Sequence, residues 1–130
     1  MEIAVEISKI IINETVAQQV IVLKEIEGDR RFFPMVIGMP EILAIDRRLK
    51  GVTYPRPLTH DLLANLIQDM GGVLTKVVIT DINDHTFYAN LVISQNGKTI
   101  NVDCRPSDAM ALGVGLEIPF YVEDQVFEKL

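Results

Sequence analysis

Between Glu2 and Ile7 the chain alternates, with Ile3, Val5 and Ile7 on one side and Glu2, Ala4 and Glu6 on the other. A period of two predicts a strand with one buried face. The runs VAQQVIVLKEI and RRFFPMVIG follow, and the EGDR between them carries turn chemistry at Gly28 and Asp29, so these two segments predict a hairpin. At Gly38 the period changes. Pro40 suits a first helical turn, Ile42, Leu43, Ile45 and Leu49 recur at helical spacing, and Gly51 can close the helix. A second helix is predicted in RPLTHDLLANLIQDMGG. There Thr59 suits the N-cap, Leu58 and Leu63 a hydrophobic staple, Leu62, Leu66, Ile67 and Met70 the apolar stripe, and Gly71 and Gly72 the stop.

The second half repeats this order. LTKVVITDI, TFYANLVIS and KTINVD read as strands joined by turns at 83–85 and at QNGK, where Asn-Gly is a strong hairpin signal. Pro106 or Ser107 then starts a helix through about Leu112, which Gly113 and Gly115 end; IPFYV reads as a short strand, and Asp124 can cap a last helical turn. The expected fold is α+β, a mixed or antiparallel sheet with packed helices, with an internal duplication of a unit of three strands and two helices. PEILAI at 40–45 and SDAMAL at 107–112 share a register of one acid followed by apolar residues. Any helix that starts after a strand favours such a pattern, so the duplication rests mainly on the element order.

Composition narrows the class. With 130 residues and 48% hydrophobic content, residues 1–130 are expected to form a single domain around one core. Low-complexity stretches that would mark a linker do not occur. The start MEIAVEISKIII has acids where a secretory leader has a basic region, and it contains no apolar run long enough to cross a bilayer. One cysteine, Cys104, can neither close an internal disulfide nor build a thiolate metal site. Together these features predict a cytoplasmic protein without membrane contact.

The net charge of -6 is uneven: residues 1–56 hold eight Lys or Arg and eight Asp or Glu, whereas residues 57–130 hold four and ten. Nucleic-acid affinity rests on neutralising phosphates, so an acidic chain binds it only through a local basic patch or through divalent cations. The basic patch on offer is RRLKGVTYPR, with Arg47, Arg48, Lys50 and Arg56, no acid between them, and Tyr54 as a stacking face. Cations at the end of a helix also favour its dipole, which accounts equally well for the same residues.

Candidate chemistry gathers in two similar segments, RPLTHD at 56–61 and RPSDA at 105–109. As structure, Thr59 and Ser107 cap helices, Asp61 and Asp108 complement helix dipoles, and Arg56 and Arg105 pair with carboxylates. As chemistry, Asp103 and Asp108 flank a short loop and offer oxygen ligands of the kind magnesium takes, His60 can serve as general base, and Arg56 or Arg105 can clamp a phosphate. Both readings stand on the residues alone. His85 lies in a predicted turn whose polarity accounts for it. Cys104 has no histidine partner in the pattern, and LGVG at 112–115 follows a helix start, so it is not a phosphate loop.

RPLTHDLL and DCRPSDAMAL, with FYANL between them and PFYV after them, give an ordered set of motifs that resembles the bifunctional nuclease domain family. The family's motifs fall on Arg56, Pro57, Thr59, His60, Asp61, Phe87, Ala89, Asp103, Arg105, Pro106, Ser107 and Asp108. Cys104 and Met110 stand where Ala and Ile are common, and Gly113 to Gly115 stand where a basic residue often follows the helix. The resemblance implies a small α+β domain that self-associates, and hydrolysis of both DNA and RNA. Joined to the residues above, it gives a catalytic site in which Asp103 and Asp108, with Asp61 assisting, hold magnesium or manganese and His60 positions or deprotonates water. Arg56, Arg105 and Ser107, with Arg47, Arg48 and Lys50 beside them, bind the substrate. The alternative is a non-catalytic oligomeric interaction or regulatory module, in which the same motifs cap helices or take a small anion or nucleotide.

Overall fold

The computed structural model describes residues 1–130. Three strands open the chain: β1 (Glu2–Ile11), β2 (Gln18–Glu25) and β3 (Phe32–Gly38). Helices α1 (Met39–Leu49) and α2 (Thr59–Asp69) follow, and then β4 (Val73–Asn83), β5 (Thr86–Gln95) and β6 (Lys98–Cys104). The chain closes with α3 (Pro106–Leu116), β7 (Phe120–Glu123) and α4 (Asp124–Lys129). Three strands followed by helices thus occur twice, as the pattern predicts, with β7 as an addition to the second round.

All seven strands form one sheet in the order β3-β2-β1-β7-β4-β5-β6. Each triplet is an antiparallel meander, and β7 lies between them, antiparallel to β1 and parallel to β4. The β5–β6 hairpin turns on Asn96 and Gly97, both at positive φ (50° and 77°), the conformation that the QNGK signal specifies. The sheet curls strongly. Phe33 of β3 stacks on Phe87 of β5 with ring centroids 5.7 Å apart although four strands separate them in the sheet, and Phe127 of α4 meets Phe33 edge-on at 5.4 Å.

α3 is the central helix. Every residue from Pro106 to Gly113 except Asp108 is buried, and the core is built from Ile21, Leu23, Ile45, Ile79, Met110, Leu112, Val122 and Val126. A helix apolar all round is one enclosed on all sides, and α3 packs against β4, β5, α1 and α2. Gly113 and Gly115 do not end it. They lie within its last turns because a Cβ at 113 would overlap the Phe120 ring and a Cβ at 115 the Arg48 guanidinium. The helix stops at Glu117, which takes the left-handed conformation at φ 56°.

Two further expectations change at α2. Leu58 is its N-cap and Thr59 its first residue, so the Thr59 hydroxyl is no cap; the carboxylate of Asp61 accepts the Leu58 N–H instead, at 3.0 Å. The apolar stripe faces outward: Leu62, Leu66 and Met70 are exposed, while His60, Asp61, Ala64 and Ile67 form the inner face. A Leu58–Leu63 staple has no place in this arrangement, because with Leu58 at the cap the staple positions fall on residues 57 and 62. Ser107 is likewise the second residue of α3, after the N-cap Arg105, and Asp124 is the first residue of α4, after Glu123.

Candidate active site

The inner face of α2 and the start of α3 bring the two Arg-Pro motifs together. His60 Nε2 lies 2.9 Å from Asp108 Oδ1, and Arg105 donates from Nε to Asp108 Oδ2 at 2.9 Å and from Nη2 to Oδ1 at 3.2 Å. Asp108 therefore orients the imidazole through Oδ1 while a planar fork grips both of its oxygens. Burial on its own would raise the carboxyl of Asp108, but Arg105 and His60 outweigh it and hold the group below its ordinary value. The guanidinium of Arg105 is raised, by its bonds to Asp108 and then by that residue's charge.

These groups edge an open cleft of about 710 Å³ between α1, the 50–58 connection and the first turns of α2 and α3. Its lining combines apolar Leu43, Val52, Tyr54 and Leu58 with polar His60, Asp108, Arg105, Glu41 and Lys50. A concave apolar surface with a few convergent polar groups is the usual form of a ligand site. Glu41 and Arg105 also line a second cleft, of about 310 Å³, between the end of β3, the β4–β5 turn and the start of α3.

Asp61 points elsewhere. It binds Arg47 Nη2 at 3.0 Å and, more closely, Arg48 Nη1, and Arg48 also donates from Nε to the Ala111 carbonyl at 2.5 Å. Burial would raise Asp61 as well, yet Arg47, the Leu58 amide and Arg48 together lower it. Arg47 and Arg48 are mostly buried, at 12% and 9% exposure of their side chains. Two of the four cations of the basic cluster are thus internal and share one carboxylate, while Lys50 pairs with Asp46 at 2.9 Å on the surface. Arg56 is exposed and makes no hydrogen bond or ion pair within the chain.

Asp103 sits on β6 opposite Asn90, exposed to solvent. The donor set does not fit a divalent ion as folded: both oxygens of Asp108 are taken by Arg105 and His60, and nowhere do three His, Cys, Asp or Glu side chains gather in a way that could hold a metal. Cys104 is half-buried, bonds to the Ala89 carbonyl, and has its thiol pushed up to about 11 by burial and by the charges of Asp103 and Asp108, which makes it a poor nucleophile. His85, in the β4–β5 turn, lines the second cleft with Ser107. Tyr54 and His85 carry no motif, though the aromatic flanked by cations at Tyr54 stood out in the sequence, and Glu41 showed there only as the acid of PEILAI.

Residues 21–130 match the model of the bifunctional nuclease domain. The chain belongs to that family. Among its relatives in the bifunctional nuclease domain family is a Mycobacterium tuberculosis protein named only as uncharacterized, 43% identical over 112 residues, which are 86% of this chain and 66% of the relative. Bifunctional nuclease 2 of Oryza sativa subsp. japonica is 28% identical over 115 residues (85% of this chain, 35% of the relative), and Bifunctional nuclease 1 of the same rice is 23% identical over 118 residues (88% and 36%). The chain thus spans about two thirds of the mycobacterial relative and about a third of the rice nucleases. No helix is long and apolar enough to cross a membrane.

Proposed function

We propose that the larger cleft binds DNA or RNA strands and hydrolyses their phosphodiester bonds. The observation that carries this reading is the His60–Asp108–Arg105 cluster at the edge of an open, half-apolar cleft, in a chain of the bifunctional nuclease domain family. With Nε2–H donated to Asp108, Nδ1 of His60 holds the lone pair and takes a proton from the attacking water. The new P–O bond forms as the bond to the leaving oxygen breaks, and the imidazolium returns its proton to that oxygen. Arg105 spends Nε and Nη2 on Asp108 and keeps Nη1 for a phosphate oxygen; Arg56, exposed and four residues before His60, would meet the strand outside the cleft lining. Tyr54, exposed and with Arg47 5.7 Å from its ring centroid, offers a face for an unpaired base. No step is routed through a metal.

The test is cleavage of end-labelled single-stranded DNA and RNA by purified wild type and by folded His60→Ala and Asp108→Asn proteins. Loss of about 100-fold or more in both variants is the expected result; equal cleavage by all three would sink the assignment.

A specific observation also favours self-association: α2 buries none of its residues and turns Leu62, Leu66 and Met70 outward beside exposed Val73. We infer a homo-oligomer that covers this face. Light scattering should give more than the 14.6 kDa of one chain, and Leu66→Glu should lower the mass; a monomer at all concentrations would refute it.

A further inference from the structure

The Ser107 side chain is the uncommitted group in the site. The residue is only 6% exposed, yet its hydroxyl makes no hydrogen bond within the chain. No fully enclosed side-chain oxygen or nitrogen lacks a partner anywhere in the protein, so this hydroxyl keeps access to solvent, and the opening it lines is the second cleft. A hydroxyl this deep without a partner in the chain takes its hydrogen bond from a ligand or from water.

What surrounds Ser107 suits an anion. It is the second residue of an eleven-residue helix whose N-terminus has no side-chain cap. The α3 ladder begins with the Ala109 N–H bonded to the Arg105 carbonyl at 3.1 Å, which leaves the amides of Ser107 and Asp108 ahead of it as free donors. Across the cleft stands His85. It lies with Asp84 in the two-residue β4–β5 turn, where both take positive φ (64° and 49°), and it lines this opening. Arg105 lines this cleft and the larger one alike, and so does Glu41.

We propose that the second cleft is a subsite for the phosphodiester next to the one at His60, so that one single strand runs across Arg105 from cleft to cleft. This inference rests on the reading of the larger cleft as the cleavage site. The Ser107 hydroxyl, the Ser107 and Asp108 amides and His85 donate to its oxygens, and Arg105 lies between the two phosphates. Glu41 sets the chemistry: its carboxylate opposes a dianionic terminal phosphate more than the single charge of an internal diester, which makes the ligand the interior of a strand. Tyr54 and Leu58 receive a base only when it is unpaired, which makes that strand single.

Binding tests this apart from cleavage. The probes are short single-stranded oligonucleotides with methylenephosphonate linkages, which keep the charge and resist hydrolysis, carrying one linkage, two linkages, or one linkage and a 5′-phosphate. Their affinities are read by fluorescence anisotropy for wild type, Ser107→Ala and His85→Asn, the last chosen because Asn tolerates positive φ. In wild type the two-linkage probe should bind at least tenfold tighter than either other probe. Each variant should lose most of that gain and hold the one-linkage probe as wild type does, which also reports an intact fold. Equal wild-type affinity for one and two linkages would overturn the subsite, and so would tighter binding of the 5′-phosphorylated probe or an equal loss on all probes. If ordinary strands are not cleaved while the two-linkage gain and its loss in the variants hold, hydrolysis is wrong and the subsite stands.

Discussion

The guanidinium of Arg48 lies over the bare Cα of Gly115, in the space any side chain there would fill. From that seat it reaches Asp61 of α2 and the Ala111 carbonyl of α3 while remaining anchored in α1, so one residue joins three helices beneath the larger cleft. Gly115→Ala should displace it and lower stability by about 1–3 kcal/mol. Arg48→Ala should be costly alone, and the pair should cost less than the sum, because the clash disappears with the arginine. Urea unfolding of the two single variants and the double variant measures this; strict additivity would show that the contact carries nothing.

Asp61→Ala removes the carboxylate that balances Arg47 and Arg48 and accepts the Leu58 amide. An arginine left so deep without its partner should cost roughly 3 kcal/mol, read as a lower urea midpoint. Asp61 lies outside the lining of the cleft, so cleavage per folded molecule should stay within about threefold of wild type, against the greater than 100-fold expected on losing the general base at His60.

Acid should unfold this protein through the same groups. Asp61 and Asp108 are each held below their ordinary values, so between the folded and unfolded pKa values the unfolded chain binds more protons, and stability rises with pH. Their contribution is complete above about pH 5 and drains away as pH falls through and below about 4. Asp108→Asn should flatten that acid slope while reducing stability near neutrality. A melting-temperature series from pH 3 to 7 would show it; an unchanged slope would contradict the assignment.

Because Asp108 is occupied by Arg105 and His60 and Asp103 stands apart on β6, cleavage should survive chelation. Rates with excess EDTA and with added magnesium or manganese should agree within about twofold, and Asp103→Ala should cleave nearly as wild type does. A strict requirement for metal would call for a rearranged Asp108. The raised thiol of Cys104 predicts slow alkylation at pH 8 and an active Cys104→Ser protein.

The strands and their turns were legible because period-two alternation and Asn-Gly act locally, as in the β5–β6 hairpin. α2 was legible as a helix but not in orientation. Its richest apolar face, Leu62, Leu66 and Met70, points outward, and the face with His60 and Asp61 points inward, held by Arg47, Arg48 and Asp108 from other elements. No spacing within the helix encodes those partners. The meeting of His60 with Asp108 is of the same kind, since 48 residues separate them. LGVG misled for a related reason: glycines there serve neighbours from α1 and β7, Arg48 and Phe120, where local rules read a helix stop. His85 was hidden by a turn that explains it well until the end of β3 and the start of α3 are placed beside it.

β7 has a consequence for how the chain assembles. Both meanders precede it in synthesis, and it supplies the only pairing between them, four residues long. An emerging chain can form either hairpin set early, but until Phe120–Glu123 leaves the ribosome β1 and β4 face each other as two unsealed edges. The last strand to appear is therefore the seam, and the interval before it arrives is when the nascent protein is most open to pairing with a neighbour.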